Sequence, residues 1–405
     1  MGRSERSPVR RLALARLIST LGTAAADIAA AYVIYQRTHS AYWLSALFLL
    51  TFGVNGLLSP FFGALADRHD RRRIMIASDL VGAACFALLI PIRDPAAMIA
   101  LVFVASLAAT PFWTASGAAI PNLAPEGELA WANSLLSMSG WTGRLAGFGI
   151  GGALVAFAGS GSVFAIDAAS FVFSAGLVAS VALPFGLPRT GDEVGSPRAR
   201  EGFRFVFADR ALTAILFSWA LMYFGVNITT VANVPLARDF HAGSFGYGML
   251  ESMYAGGSLV GAFSGRWIQE SWLRRAIIGG TVAIAIGQAA AALSPWFLLI
   301  LVAVLLSAIA DSFGGVAGQS WIQLRTPDAV RGRVMGALGA TFMAANVVAF
   351  MIAGPLTTAV GAQGVYAVGG GAAAFACIVL VIGLRGTNLG SARQRSMIDE
   401  GNDSK

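Results

Sequence analysis

The feature that most constrains this chain is a recurring one: long apolar runs separated by short turns whose charges are mostly arginine. The runs fall near 12–35, 41–66, 74–91, 96–120, 131–158 and 162–184, and again near 211–235, 245–267, 276–293, 296–322, 331–359 and 363–384. A helix rises ~1.5 Å per residue and the bilayer core is ~30 Å thick, so about 20 apolar residues span it. Lipid offers no hydrogen bonds to a backbone, so a spanning segment is a helix or part of a closed barrel. These runs are continuous rather than alternating, which predicts helices. Composition agrees: 12% of residues are charged, about half the usual share of a soluble domain, and mean hydropathy is +0.69. The expectation is an all-α integral membrane protein with twelve transmembrane helices.

One long polar interruption, 185–210, carries Pro188, Pro197, Arg189, Arg198, Arg200, Arg204 and Arg210. It divides the chain into an N-terminal six-helix bundle at 1–184, a linker at 185–210, a C-terminal six-helix bundle at 211–384 and a tail at 385–405. One side collects Arg3, Arg6, Arg10, Arg11, the cluster from Arg68 to Arg73, the linker, Arg266, Arg274, Arg275, Arg325, Arg331 and Arg333; the other holds Arg37, Arg93 and Arg238. Positive loops stay inside, so both termini and the linker are expected in the cytoplasm. The first run could imitate a secretory signal, but Arg16 and Asp27 interrupt it and further spans follow, which predicts a retained helix. Net charge is +7, yet the arginines cluster between apolar runs rather than on one polar face, so membrane topology explains them and no nucleic-acid partner is expected. Cys85 and Cys377 lie in apolar runs and fit packing; neither a disulfide framework nor a zinc spacing is present.

Between the second and third runs stands Gly63-Ala-Leu-Ala-Asp67-Arg68-His-Asp-Arg71-Arg72-Arg73. It resembles the signature of the major facilitator superfamily, G-x-x-x-D-R-x-x-R-R. The resemblance implies two pseudo-symmetric six-helix bundles around a central cavity lined by spans one, four, seven and ten. Gly63 permits a sharp turn, and Asp67 suits a helix N-terminus. Arg331 and Arg333 stand at the predicted start of span eleven, so Asp67 is expected to dock there as a latch on the cytoplasmic gate; plain positive-inside anchoring remains the other reading of the arginines. In span five, Gly143, Gly147, Gly151 and Gly152 resemble the family's antiporter signature, with Phe148 where that signature has proline. Glu201 to Phe205, Pro327 to Met335, Asp167 to Phe171 and Ala132 to Ser134 resemble the branch that contains enterobactin exporters and macrolide efflux pumps. That branch usually carries an acid just after the glycine of span one; here Thr23 follows Gly22, and Asp27 comes one turn later.

Asp27, Arg144 and Asp311 lie about halfway along their runs. Each would cost about 2.5–3.5 kcal/mol facing lipid at the bilayer centre, so they are expected to face protein or water, with Asp27 and Arg144 paired. Such a carboxylate can couple a proton to a conformational change; a purely structural ion pair is the alternative. Asp79 and Asp167 are read as nearer helix ends, serving gate or interface contacts. Glu251, on a span that borders the seam between halves in this superfamily, joins the coupling candidates. The cavity candidates are Thr23, Thr110, Trp113, Trp219, Tyr223, Asn227 and Asp311. No G-x-x-x-x-G-K-[ST] loop or catalytic constellation occurs, so neither enzyme activity nor a cofactor is expected, and a proton gradient is the energy source. The resulting expectation is a monomeric, proton-coupled exporter of hydrophobic or amphipathic small molecules (a drug, a macrolide or a siderophore-like product) in a bacterial cytoplasmic membrane. An importer of a small metabolite stays open because of Phe148. A non-transporting membrane receptor is a further alternative, for which the linker and tail offer little docking surface.

Overall fold

A computed structural model describes residues 6–58, 61, 69–181, 185 and 199–386. Its helices are α1 (Ser7–Thr38), α2 (Ala41–Leu58), α3 (Arg71–Leu89), α4 (Pro95–Leu123), α5 (Leu129–Ala158), α6 (Ser160–Ala179), α7 (Ala199–Ala208), α8 (Arg210–Asp239), α9 (Gly243–Ser264), α10 (Leu273–Leu293), α11 (Phe297–Arg325) and α12 (Asp328–Gly383). Local sequence sets several ends. Asp70 caps α3 by accepting from the Arg73 N–H at 2.9 Å, and Asp94 caps α4 by accepting from the Ala97 N–H at 2.8 Å, with Pro95 at the first helical position. Gly361 sits at φ 75° and breaks α12 in two, a conformation that glycine adopts without a Cβ penalty.

Among the described residues, eight segments are long and apolar enough to cross a membrane. The broken α12 supplies two spans, and α3, α5 and α9, whose arginines or glycines lower their hydropathy, complete the set of twelve. The all-helical architecture read from the apolar runs is the one observed. In α2, Leu49–Val54 forms a π-helical stretch.

The chain forms two compact units. The first contains residues 1–194, 231–255 and 350–359; the second contains 195–230, 256–349 and 360–405. These units cut across the sequence division at 184 and 211, because the later parts of α8, the early part of α9 and a short stretch of α12 group with the first.

In the first unit, α1 packs on α5 and α6, and α3 on α4 and α6. Glycines decide how close α1 and α5 come. A Cβ on Gly147 would collide with Leu21 and Ala24, and one on Gly151 with the Ala25 backbone. With little hydrophobic drive between helices in lipid, such small-residue contact supplies the van der Waals packing that joins them. With Phe148 in place of proline, α5 is continuous. Val9, Leu12, Met75, Phe112, Ile120 and Leu136 form a buried core at one end.

In the second unit, α10 packs on α11, with Gly280 against Gly314. The last part of the sequence-defined linker is ordered: α7 is amphipathic, and its Val206 joins a core with Ile215, Leu216, Ile277, Trp321 and Leu380. Gly202 lies against the Arg333 backbone, where a Cβ has no room, and Glu201 pairs with Arg333 at 2.6 Å. Asp209 accepts from the Ala211 N–H at 2.8 Å and pairs with Arg325 at 2.7 Å.

A charged cavity in the first unit

Within the first unit lies a cavity of about 260 Å³. Thr20, Thr23 and Asp27 reach it from α1, Asn55 from α2, Asp79 from α3, Thr110 and Trp113 from α4, and Arg144 and Phe148 from α5. The site residues read from spans one, four and five therefore do converge. Asn55 organises the wall between α2 and α4: its amide donates to the Ser106 carbonyl at 3.1 Å, and its side-chain oxygen accepts from the Thr110 hydroxyl at 2.8 Å. Arg16 stacks over Trp113 with its guanidinium carbon 4.1 Å from the ring centre, a contact generally worth about 1–2 kcal/mol when partly desolvated.

The expected Asp27–Arg144 ion pair is not formed. Both side chains line the cavity and lie within electrostatic reach, but helix register keeps them apart. α1 and α5 run parallel, with Gly143 beside Leu17 and Thr20, Gly147 beside Leu21 and Ala24, and Gly151 beside Ala25. Asp27 thus sits about 10 Å along the axis from the level of Arg144, at ~1.5 Å per residue. Similar depth in sequence did not translate into similar depth in the packed pair.

Two further acids need correction. Asp79 and Asp167 lie in the middle of α3 and α6, because α3 begins earlier and α6 ends earlier than the apolar runs indicated. They are 1% and 0% exposed. Asp167 accepts from Ser170 at 3.1 Å, and among the described residues one oxygen of each carboxylate has no hydrogen-bond partner. Gly22 makes room for this: a Cβ there would strike Asp167 and Ser170. Glu251 belongs to the first unit, accepts from the Asn233 amide at 2.9 Å and lies within electrostatic reach of Asp27.

The remaining cavity candidates belong to the second unit. Tyr223 stacks on Phe342 with ring centres 4.8 Å apart, and Trp219 meets the same ring at 5.7 Å. Gly318 lies against Trp219. Asp311 is within electrostatic reach of Tyr223. Asn227 turns its amide back to the Tyr223 carbonyl at 2.7 Å. Sequence reasoning missed Phe342, Asn55 and Arg16. Arg16 carried a signal: with Thr20, Thr23 and Asp27 it continues one stripe at helical spacing.

Of the latch residues, Gly63, Asp67 and Arg68 lie outside the described residues. Arg71 is buried and donates to the Ala118 and Phe185 carbonyls at 3.1 Å each, and Arg72 donates to the Ala179 carbonyl. Arg331 donates to the Gln323 and Thr326 carbonyls at 3.3 Å each, and Arg333 holds Glu201. Each of these arginines thus reaches backbone carbonyls or an acid of its own unit. Outside the spans, Arg6 hydrogen-bonds Glu128 and holds its carboxyl below the ordinary carboxylate value.

The sequence model of the Major Facilitator Superfamily matches residues 12–236 and 215–400. Macrolide efflux protein A of Streptococcus pyogenes is 29% identical over 261 residues, 60% of this chain and 62% of that protein, so the matched region spans less than two thirds of that relative. The multidrug efflux pump Tap of Mycobacterium bovis is 26% identical over 89% of this chain and 90% of its own. Among solved structures, a bacterial homologue of the iron transporter ferroportin superposes with a TM-score of 0.74 at 18% identity, covering 93% of this chain and 98% of that one, which speaks to fold alone. With a family model matched along nearly its whole length and an all-helical architecture, this chain belongs to the major facilitator superfamily.

Proposed function

We propose that the protein is a proton-coupled exporter of hydrophobic or amphipathic small molecules, working by alternating access. The observation that carries this reading is the cavity of the first unit, where Asp27 and Arg144 share a space walled by Trp113 and Phe148 without being locked to each other. An ion pair in direct contact would hold its charges fixed. A carboxylate and a guanidinium at electrostatic distance leave Asp27 able to take up and release a proton as the helices move. Aromatic walls with a few polar groups suit an amphipathic cargo, and the efflux relatives support the outward direction. Asp67, Arg331 and Arg333 are assigned to gating, Glu251 and Asp311 to secondary coupling roles, and the protein to a bacterial cytoplasmic membrane with both termini inside.

The test is movement of a cationic fluorescent dye in inverted vesicles. Dye accumulation that depends on the proton gradient, and that disappears when a protonophore collapses it, is expected. Accumulation unaffected by the protonophore would end the coupling assignment. Import remains a second reading because Phe148 replaces the proline of the antiporter signature; movement of dye out of the inverted vesicles would establish it.

A further inference from the structure

A second cavity in the first unit, of about 470 Å³, lies on the face that carries Arg37 and Arg93. Gln36, Arg37, Arg93, Ser160, Gly243 and Ser244 are among the residues around it, and among the described residues no carboxylate is. Arg37 is fixed in place: it donates to the Arg93 carbonyl at 2.6 Å and reaches the Ile92 carbonyl at 3.4 Å. The Arg93 guanidinium makes no hydrogen bond or ion pair among the described residues, and it lies within electrostatic reach of Arg37. Two like charges are therefore held together with no opposite charge among the described residues of the cavity wall. Two helix N-termini add to the positive potential. α6 begins at Ser160 without a side-chain cap. In α9 the Gly246 N–H is bonded to Ala242, which leaves the N–H groups of Gly243, Ser244 and Phe245 as first-turn donors without an intrahelical acceptor.

We propose that this cavity binds a phosphate-bearing anion, supplied either by an acidic lipid headgroup or as free phosphate, and that the anion holds the start of α9 against α1 and the α3–α4 turn. Arginine forks and free helix N–H groups are the usual partners of phosphate oxygens. The start of α9 is also where a seam closes: Ser244 donates to the Gly152 carbonyl at 3.0 Å, Ser252 donates to the Leu145 carbonyl at 3.1 Å, and Gly248 lies against Gly152. Withdrawing α9 to open that seam would pull its N–H groups away from Arg37 and Arg93 and dismantle the anion site. Binding and closure are therefore linked, and the anion biases the transporter toward the closed seam. This role is independent of which cargo moves and of how transport is energised.

The experiment uses the full chain in nanodiscs, with Cys85→Ser and Cys377→Ser to remove the native thiols and Ser252→Cys as a seam reporter. Alkylation by a membrane-permeant maleimide is timed in phosphatidylcholine, in phosphatidylcholine with added phosphatidylglycerol, and in phosphatidylcholine with inorganic phosphate. Slowing by about fivefold or more is expected when the anion is present, a typical lower bound for coupled sites. Slowing by phosphatidylglycerol alone assigns the headgroup; slowing by inorganic phosphate as well assigns the free anion. Arg93→Gln should abolish the slowing and leave the rate in pure phosphatidylcholine unchanged, since the Arg93 guanidinium makes no contact that the fold needs. Equal rates in all three conditions, or an Arg93→Gln variant that responds like its parent, would overturn the proposal.

Discussion

The two units differ in what they place inside. In the first, Asp27, Asp79 and Arg144 line one cavity, with Arg16 within electrostatic reach of Arg144 and Asp167 within reach of Asp27 and Asp79, and Asp79 and Asp167 are almost fully buried. In the second, Asp311 is, among the described residues, the one carboxylate midway along a helix, and Trp219 and Tyr223 cluster on Phe342. Buried charge is concentrated in the first unit, whereas aromatic clusters stand in both, Phe48 with Phe52 and Phe350 among those of the first. The glycines beside the two clusters differ in what they touch: α1 and α5 meet through Gly147 and Gly151 against backbone, whereas Trp219 rests its ring on Gly318.

That contrast gives the largest expected effect. Gly147→Leu would drive its side chain into the Leu21 carbonyl and Ala24, and backbone cannot step aside. A loss of about 3 kcal/mol is expected, read as a collapsed melting transition in detergent. Gly318→Ala meets the Trp219 ring, which can turn, so about 1 kcal/mol and an altered tryptophan emission are expected. Equal damage at the two sites would break the scaffold half of the comparison.

Next comes the functional half. Asp27→Asn is expected to leave the protein folded and dye binding intact while reducing gradient-driven transport more than tenfold. Tyr223→Ala should do the reverse. By removing the ring stacked on Phe342, it should raise the apparent KM by about tenfold, equivalent to ~1.4 kcal/mol, with coupling preserved. If both variants change KM alone, charge and cargo contact are not segregated.

The sequence made much of this legible and missed the rest for identifiable reasons. Apolar runs found the spanning helices because lipid enforces a length. Asp27 and Arg144 stood out because charge in an apolar run is conspicuous. Their pairing was misjudged because register between α1 and α5 is set by which glycine meets which backbone, a long-range fact. Asp79 and Asp167 were misplaced because helix ends in the sequence were uncertain by several residues, enough to move a buried acid toward a turn. Phe342 was invisible because one phenylalanine in an apolar run carries no periodic signal.

Smaller effects test the periphery. Arg325→Ala removes the partner of Asp209, which also caps the start of α8; about 1–2 kcal/mol of stability is expected to be lost, seen as a lower melting temperature at neutral pH. Glu128→Gln should give the smallest change. The Arg6 bond lowers the folded-state pKa of Glu128, so its contribution is full above the ordinary glutamate value and fades as pH falls through the lowered one. A slight melting-temperature deficit relative to the parent is expected at pH 7, vanishing at strongly acidic pH. A deficit that persists in acid would mean that the contact is not electrostatic.

The most direct test of the central claim is proton release from the purified protein on adding a cationic dye, followed with a pH indicator in lightly buffered detergent near neutral pH. The parent protein is expected to release protons as the dye binds, and Asp27→Asn to bind the dye without that release. Equal release from both proteins, or dye binding by the parent with no release, would contradict the assignment of Asp27 as the coupling carboxylate.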